Sequence, residues 1–144
     1  MKNKICLITG ATSGIGKAAV LKLADLGASL ILISRNENKG EKICDQIRKL
    51  NSDAHAKFYK ANISSMKEVR IVSDRIKIDF HHIDVLINNA GARFDNYLKN
   101  DEGIELTFAT NHLGHFLLTL SLIELLKKSA QGRMINISSP AHSR

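Results

Sequence analysis

Tryptophan is absent from this chain, proline occurs once in 144 residues and cysteine twice. Cys6 falls in an apolar, strand-like run and Cys44 in a helical pattern, and together they make neither a metal-ligand spacing nor a disulfide framework. Both read as core-filling thiols in a reducing compartment. Long apolar runs are also missing: none reaches the roughly 20 residues of a membrane helix, and no leader precedes the first apolar strand, which starts almost at Met1. A soluble, cytoplasmic protein without a membrane span is expected. Acidic residues are in deficit, 14 Asp and Glu against 21 Lys and Arg, for a formal charge of +7. The basic residues are nevertheless scattered, with no run longer than Lys127-Lys128, and five Phe and two Tyr form no basic-aromatic stacking pattern. That argues against nucleic acid and for a solvated surface attractive to small anionic ligands. Of the six histidines, His112 and His115 lie three apart on a helix, but no acidic or Cys partner is spaced to complete a ligand shell. No metal is expected, and the pair reads as helix-surface or interface residues. His81-His82 sit in a polar connector.

With 44% hydrophobic residues the chain can bury one sizeable core, so a single domain over residues 1–144 is expected. Short apolar runs near Lys4–Thr9, Ser29–Ser34, His55–Lys60, Asp84–Asn88 and Arg133–Ser138 read as strands of a parallel sheet covered by helices. Helical patterns fall between them. Ile43, Ile47 and Leu50 recur at i, i+4 and i+7 with Glu41, Lys42, Asp45, Arg48 and Lys49 on the other faces, and Val69, Val72 and Ile76 repeat the device in the next helix. Gly27 is placed to end the first helix, and Asn36 or Asn38 to cap the second. A long fourth segment, about Gly103 to Lys128, is apolar enough to pack on both the sheet and another helix. Right-handed crossovers then give an α/β fold: a doubly wound parallel sheet of about five strands in the order 3-2-1-4-5, with its ligand at the carboxyl ends beside the switch between strands one and four.

The stretch Thr9-Gly-Ala-Thr-Ser-Gly-Ile-Gly16 follows the apolar run Ile5 to Ile8 and opens an amphipathic one. It reads as a strand, a glycine turn and a helix N-terminus starting near Ile15. Gly10, Gly14 and Gly16 remove side chains where the backbone turns sharply and approaches a pyrophosphate. The free N–H groups and dipole of the helix attract its charge. Gly10, Thr12, Ser13, Gly14, Ile15 and Gly16 are therefore candidate cofactor-binding residues of a Rossmann-type, dinucleotide-binding domain. The spacing is G-x-x-x-G-x-G rather than G-x-G-x-x-G, so the glycines alone leave an ordinary strand-to-helix turn open.

Three further segments narrow the choice. Asn88-Asn89-Ala90-Gly91 closes the fourth strand (Val85, Leu86, Ile87), Asn111 lies early in the apolar stretch Asn111–Thr119, and the fifth strand, Met134 to Ile137, ends in Ser138-Ser139. In this order and spacing the chain resembles the short-chain dehydrogenase/reductase family, whose marks are T-G-x-x-x-G-I-G, N-N-A-G, a mid-chain Asn and a strand-end Ser. Glu102-Gly103-Ile104-Glu105 leading to Asn111-His112-Leu113-Gly114-His115-Phe116, and Ile137-Ser138-Ser139-Pro140-Ala141-His142, are most similar to the retinol-dehydrogenase-like branch.

The resemblance implies hydride transfer between a nicotinamide cofactor and a small-molecule carbonyl or alcohol substrate. It implies that Ser139, the second of its pair, orients and polarises the substrate oxygen, and that Asn111 holds a water in a proton relay. It implies that Asn88, Ala90 and Gly91 line the cofactor. Asn62 stands in place of a family Asp that accepts a hydrogen bond from the adenine amino group, which its carbonyl oxygen can also do; it reads equally as a turn residue before Ser64 and Ser65. Ser34 stands where the family's NAD-selective acid sits. Arg35, next to it, offers a planar fork of donors to a 2′-phosphate, and Lys17 supplies a second positive charge. NADP(H) is favoured over NAD(H).

The family's catalytic Tyr-x-x-x-Lys follows the strand-end Ser by a dozen or more residues. Here Tyr59 and Tyr97 are followed at that spacing by Ile63 and Asp101. The chain therefore reads as the N-terminal part of an oxidoreductase, inactive when alone; the alternative is a non-catalytic dinucleotide-binding or interaction protein. Membrane-attached relatives of the branch carry extra hydrophobic N-terminal sequence, so a retinoid substrate does not transfer. Without the family's later strands, Met134, Ile135 and Ile137 lie on an unpaired edge, through which self-association or a homo-oligomer is expected.

Overall fold

Strands buried on both faces alternate between two apolar layers rather than between core and solvent. The computed structural model, which describes residues 1–51 and 54–139, has five strands, β1 (Ile5–Thr9), β2 (Ser29–Ser34), β3 (Ala56–Lys60), β4 (Val85–Asn88) and β5 (Arg133–Asn136), of which the inner β1, β2 and β4 follow this plan while the edges β3 and β5 carry exposed residues. The five form one parallel sheet in the order β3-β2-β1-β4-β5. Central β1 sets Leu7 beside Ile31 on one flank and Leu86 on the other. On one face Cys6, Ile8, Leu30 and Leu32 pack with Val20 and Ala24 of α1 (Gly14–Asp25) and with Ile43, Cys44 and Ile47 of α2 (Glu37–Leu50). On the other, Leu7, Ile31, Ile33 and Leu86 meet Val69, Val72 and Ile76 of α3 (Met66–Asp79) and Leu118 and Leu122 of α5 (Gly114–Lys127). The doubly wound order is the one the alternation of elements predicts.

Both cysteines are buried; burial foremost, and then the nearby Asp84 carboxylate, push the Cys6 thiol up to about 11. Gly27 turns left-handed (φ +81°) just after α1. Of the two candidate caps for α2 it is Asn36 that acts, accepting the Lys39 N–H at 2.9 Å.

Three expectations are corrected. Leu50, the last residue of α2, is exposed, because the buried stripe ends at Ile47 and includes Cys44 instead. β5 stops at Asn136, two residues short of Ser138. The long fourth segment starts at Leu106 and is interrupted. A short α4 (Leu106–Phe108), capped by the Glu105 carboxylate on the Thr107 and Phe108 N–H groups, runs into a π-helical turn (Ala109–Leu113). There the Gly114 N–H reaches back five residues to the Ala109 carbonyl before α5 begins. Pro140, Ala141 and His142 of the C-terminal motif lie outside the described residues.

At the amino ends of the strands Asp84 fastens three segments. Its carboxylate accepts the Ile5 N–H at 2.8 Å, the Ser129 hydroxyl at 2.7 Å and Lys4 Nζ at 3.1 Å. On β5, Met134 and Ile135 are 50% and 42% exposed, and Ile137 beyond it 43%, so the edge carries apolar surface.

Candidate cofactor site

The opposite, carboxyl ends of β1, β2 and β4 open onto a cavity of about 870 Å³. Of the residues singled out in the sequence, Gly10, Thr12, Ser13, Gly14, Ile15, Gly16, Ser34, Arg35, Asn62, Ala90 and Gly91 line it. Lys17, Asn88, Asn111 and Ser139 do not.

The glycine turn is built by close approach. Gly10 adopts φ +66°, and a Cβ there would stand 2.9 Å from the Ala90 Cα; a Cβ on Gly16 would overlap the Gly10 carbonyl and the Asn89 carboxamide. Only hydrogen fits at either place, so α1 is drawn onto the turn. The caps of α2 and α3, Asn36 and Ser65, each accept a backbone N–H, whereas Ser13 at the start of α1 makes no side-chain cap. The first N–H groups of α1 therefore face the cavity without a side-chain acceptor, a disposition suited to an anion.

At the end of β2, Ser34 is 8% exposed and its hydroxyl has no hydrogen-bond partner among the described residues. Arg35 follows, exposed at the cavity rim. The second cation lining the cavity is Lys39 rather than Lys17: Lys39 lies on the first turn of α2, four residues after Arg35, and Lys17 is not among the lining residues. Among the described residues neither Arg35 nor Lys39 is ion-paired, and no carboxylate lines the cavity. Asn62 forms part of the wall, but its Oδ1 accepts both the N–H and the hydroxyl of Ser64, at 3.2 and 2.9 Å. It is a turn residue, and the oxygen assigned to adenine is already engaged.

The asparagine facing the cavity is Asn89 rather than Asn88. Asn88, still in β4, is buried, and its Nδ2 donates to Thr119 and Asn136. Asn89, just past the strand, donates its Nδ2 to the carbonyls of Thr9 and Gly10 at 2.9 and 3.3 Å, tying β4 to the glycine turn. Thr9 completes the knot: its Oγ1 accepts the N–H groups of Asn89 and Ala90, both at 2.9 Å, and lies 2.9 Å from His115 Nε2. His115 is buried within the chain, against the expectation of a helix-surface or interface position for the pair, whereas His112 is exposed, stacked between Phe108 and Phe116. Asn111 clamps the far end of the loop, its Oδ1 accepting the Ala92 N–H and its Nδ2 donating to the Ala92 carbonyl, both at 2.8 Å. Ser139 is exposed beyond β5.

A family model described as short chain dehydrogenase matches residues 4–143. The chain belongs to that family. It is 40% identical over 139 residues to Retinol dehydrogenase 12 of Mus musculus, an overlap of 96% of this chain and 44% of that protein. It is 39% identical over 142 residues to Retinol dehydrogenase 11 of Homo sapiens, 99% of this chain and 45% of the relative. The chain thus spans less than half the length of these curated relatives. Its fold is similar to that of a short chain dehydrogenase from Shigella flexneri 2a solved in complex with NADP, with a TM-score of 0.82 and 27% identity over 93% of this chain and 58% of that one.

Proposed function

We propose that this short-chain dehydrogenase chain forms the NADP(H)-binding part of an oxidoreductase that transfers a hydride between nicotinamide and a small-molecule carbonyl or alcohol. The observation that carries the reading is the rim at the end of β2: among the described residues, two unpaired cations, Arg35 and Lys39, beside the buried, partnerless Ser34 hydroxyl, with no carboxylate in the wall. A 2′-phosphate would bring both charge and acceptors to those three groups, whereas an acid there would repel it. The NADP complex of the Shigella flexneri relative supports the same choice.

Bound in the cavity, the cofactor supplies or accepts the hydride. The chain's own part is to hold it: the α1 N-terminus for the pyrophosphate, Arg35 and Lys39 for the 2′-phosphate, and Ala90 to Ala92, clamped by Asn111, as the wall. We propose that Ser139 orients the substrate oxygen and that Asn111 combines its clamp with a place in the proton relay. No Tyr-x-x-x-Lys occurs in these 144 residues, so no acid/base phenol is assigned among them. The two buried thiols fit a reducing, cytoplasmic setting.

Titrating the purified chain with NADPH and NADH tests the reading. Charge-assisted contacts at the rim should favour NADPH by roughly ten- to a hundredfold, and Arg35→Asp should reverse that preference. Equal affinities for the two cofactors would overturn the assignment. The same preparation is expected to show no cofactor-dependent turnover of carbonyls or alcohols. Turnover that disappears in Ser139→Ala would place the missing acid within this chain.

A further inference from the structure

His115 is a buried titratable group at the base of the cofactor loop that the proposed chemistry leaves unused. Its surroundings determine where its proton sits. Thr9 Oγ1 accepts two backbone N–H groups, from Asn89 and Ala90, each at 2.9 Å. A hydroxyl oxygen has two lone pairs and one hydrogen. With both lone pairs engaged, the hydroxyl hydrogen is left for the third neighbour, His115 Nε2 at 2.9 Å. Nε2 must then be an acceptor, which puts the imidazole proton on Nδ1, where the Asn111 carbonyl lies 3.5 Å away. One chain of donors thus runs from the loop amides through Thr9 and His115 to the π-helical turn, with every role fixed.

We propose that His115 is a positioning residue for the cofactor loop: held neutral with its proton on Nδ1, it takes the Thr9 hydroxyl hydrogen and so keeps both Thr9 lone pairs on the Asn89 and Ala90 amides. Protonating it releases that loop. An added proton turns Nε2 into a donor aimed at an oxygen with no lone pair to spare, so one loop amide must let go. The neighbouring groups oppose the charged form. Burial, the largest influence, holds His115 below the ordinary histidine range; the Asn111 carbonyl opposes it, and His112 one turn away adds a smaller push in the same direction as burial. Among the described residues its hydrogen-bond partners are the Thr9 hydroxyl on β1 and the Asn111 carbonyl of the π-helical turn, and no carboxylate is paired with it. The loop effect rests on reading the cavity as a dinucleotide site; the proton assignment does not.

The test has two arms. In the full chain without cofactor, ¹⁵N-imidazole NMR should show a protonated Nδ1 and an unprotonated Nε2 at neutral pH. The Asn89 and Ala90 amide signals should shift with the His115 midpoint on acidification. A proton on Nε2, or loop amides indifferent to that midpoint, would overturn the proposal. In the second arm NADPH affinity should fall about tenfold as His115 titrates, the equivalent of one buried hydrogen bond. His115→Leu should lose affinity already at neutral pH. His115→Gln, whose amide oxygen can take the same hydrogen, should recover most of that loss and carry no acid step. An acid step that persists in His115→Gln contradicts the proposal. Failure of NADPH to bind at any pH would instead sink the cofactor reading, since the first arm needs no cofactor.

Discussion

Gly114→Ala is expected to destabilise the chain by about 3 kcal/mol or more, a large part of the roughly 5–15 kcal/mol that holds a domain of this size together. Gly114 is the first residue of α5, and a Cβ there would overlap the Ile63 carbonyl oxygen and stand 2.7 Å from the Ile63 Cγ2. A backbone carbonyl between buried Ala61 and Ser64 cannot swing aside as a flexible side chain would. The helix has to withdraw, and with it Leu118 and Leu122 leave the layer they share with Val69 and Val72. Ile63 also lines the cavity, so cofactor affinity should drop together with stability. Urea unfolding at unchanged slope measures the loss; a midpoint equal to that of the parent chain would show that helix and loop do not meet this closely.

Asp84→Ala is expected to cost about 3–5 kcal/mol, because it strands the groups that converge on a buried carboxylate. The side chain is only 6% exposed. Burial pushes its carboxyl up, but hydrogen bonds from Ser129, the Ile5 N–H and Lys4 outweigh burial and leave it at about 2, against an ordinary 3.8. The sign follows directly. The unfolded chain takes up the proton first, so the stabilisation is fully present above roughly pH 4 and is lost as pH falls toward 2, about 2 kcal/mol in all. Thermal unfolding followed between pH 5 and pH 2 should show that decline in the parent chain and a flatter profile in Asp84→Asn. Parallel profiles would mean that Asp84 is not the group being titrated.

What the sequence reveals is what lies close along the chain. The glycine turn, the Ser34-Arg35 strand end and the strand order follow from local patterns, since apolar runs, turn residues and their alternation act over a few positions. Lys39 was within reach of the same logic, one helical turn beyond Arg35. The choice between Asn88 and Asn89 was not, because side-chain alternation holds only while the strand lasts and Asn89 falls just past its end. His115 was misplaced for a related reason. Its segment is apolar all round, and the polar partner that makes burial tolerable, Thr9, is 106 residues away. The Asn111 clamp on Ala92, across 19 residues, and the π-helical turn likewise depend on tertiary neighbours that no periodicity encodes.

The Asp84 staple and the ligand rim occupy opposite ends of the same strands, roughly 15 Å apart at about 3.3 Å of rise per residue. Register is secured at one end by a carboxylate that does not line the cavity. The cations proposed to select the nucleotide, Arg35 and Lys39, stand at the other, just past a strand and on a first helical turn, and neither is ion-paired among the described residues. On the proposed reading of the rim, single substitutions at Arg35 and Lys39, both exposed, would change nucleotide preference without a stabilising companion mutation, which makes that trait evolvable independently of the scaffold that carries it.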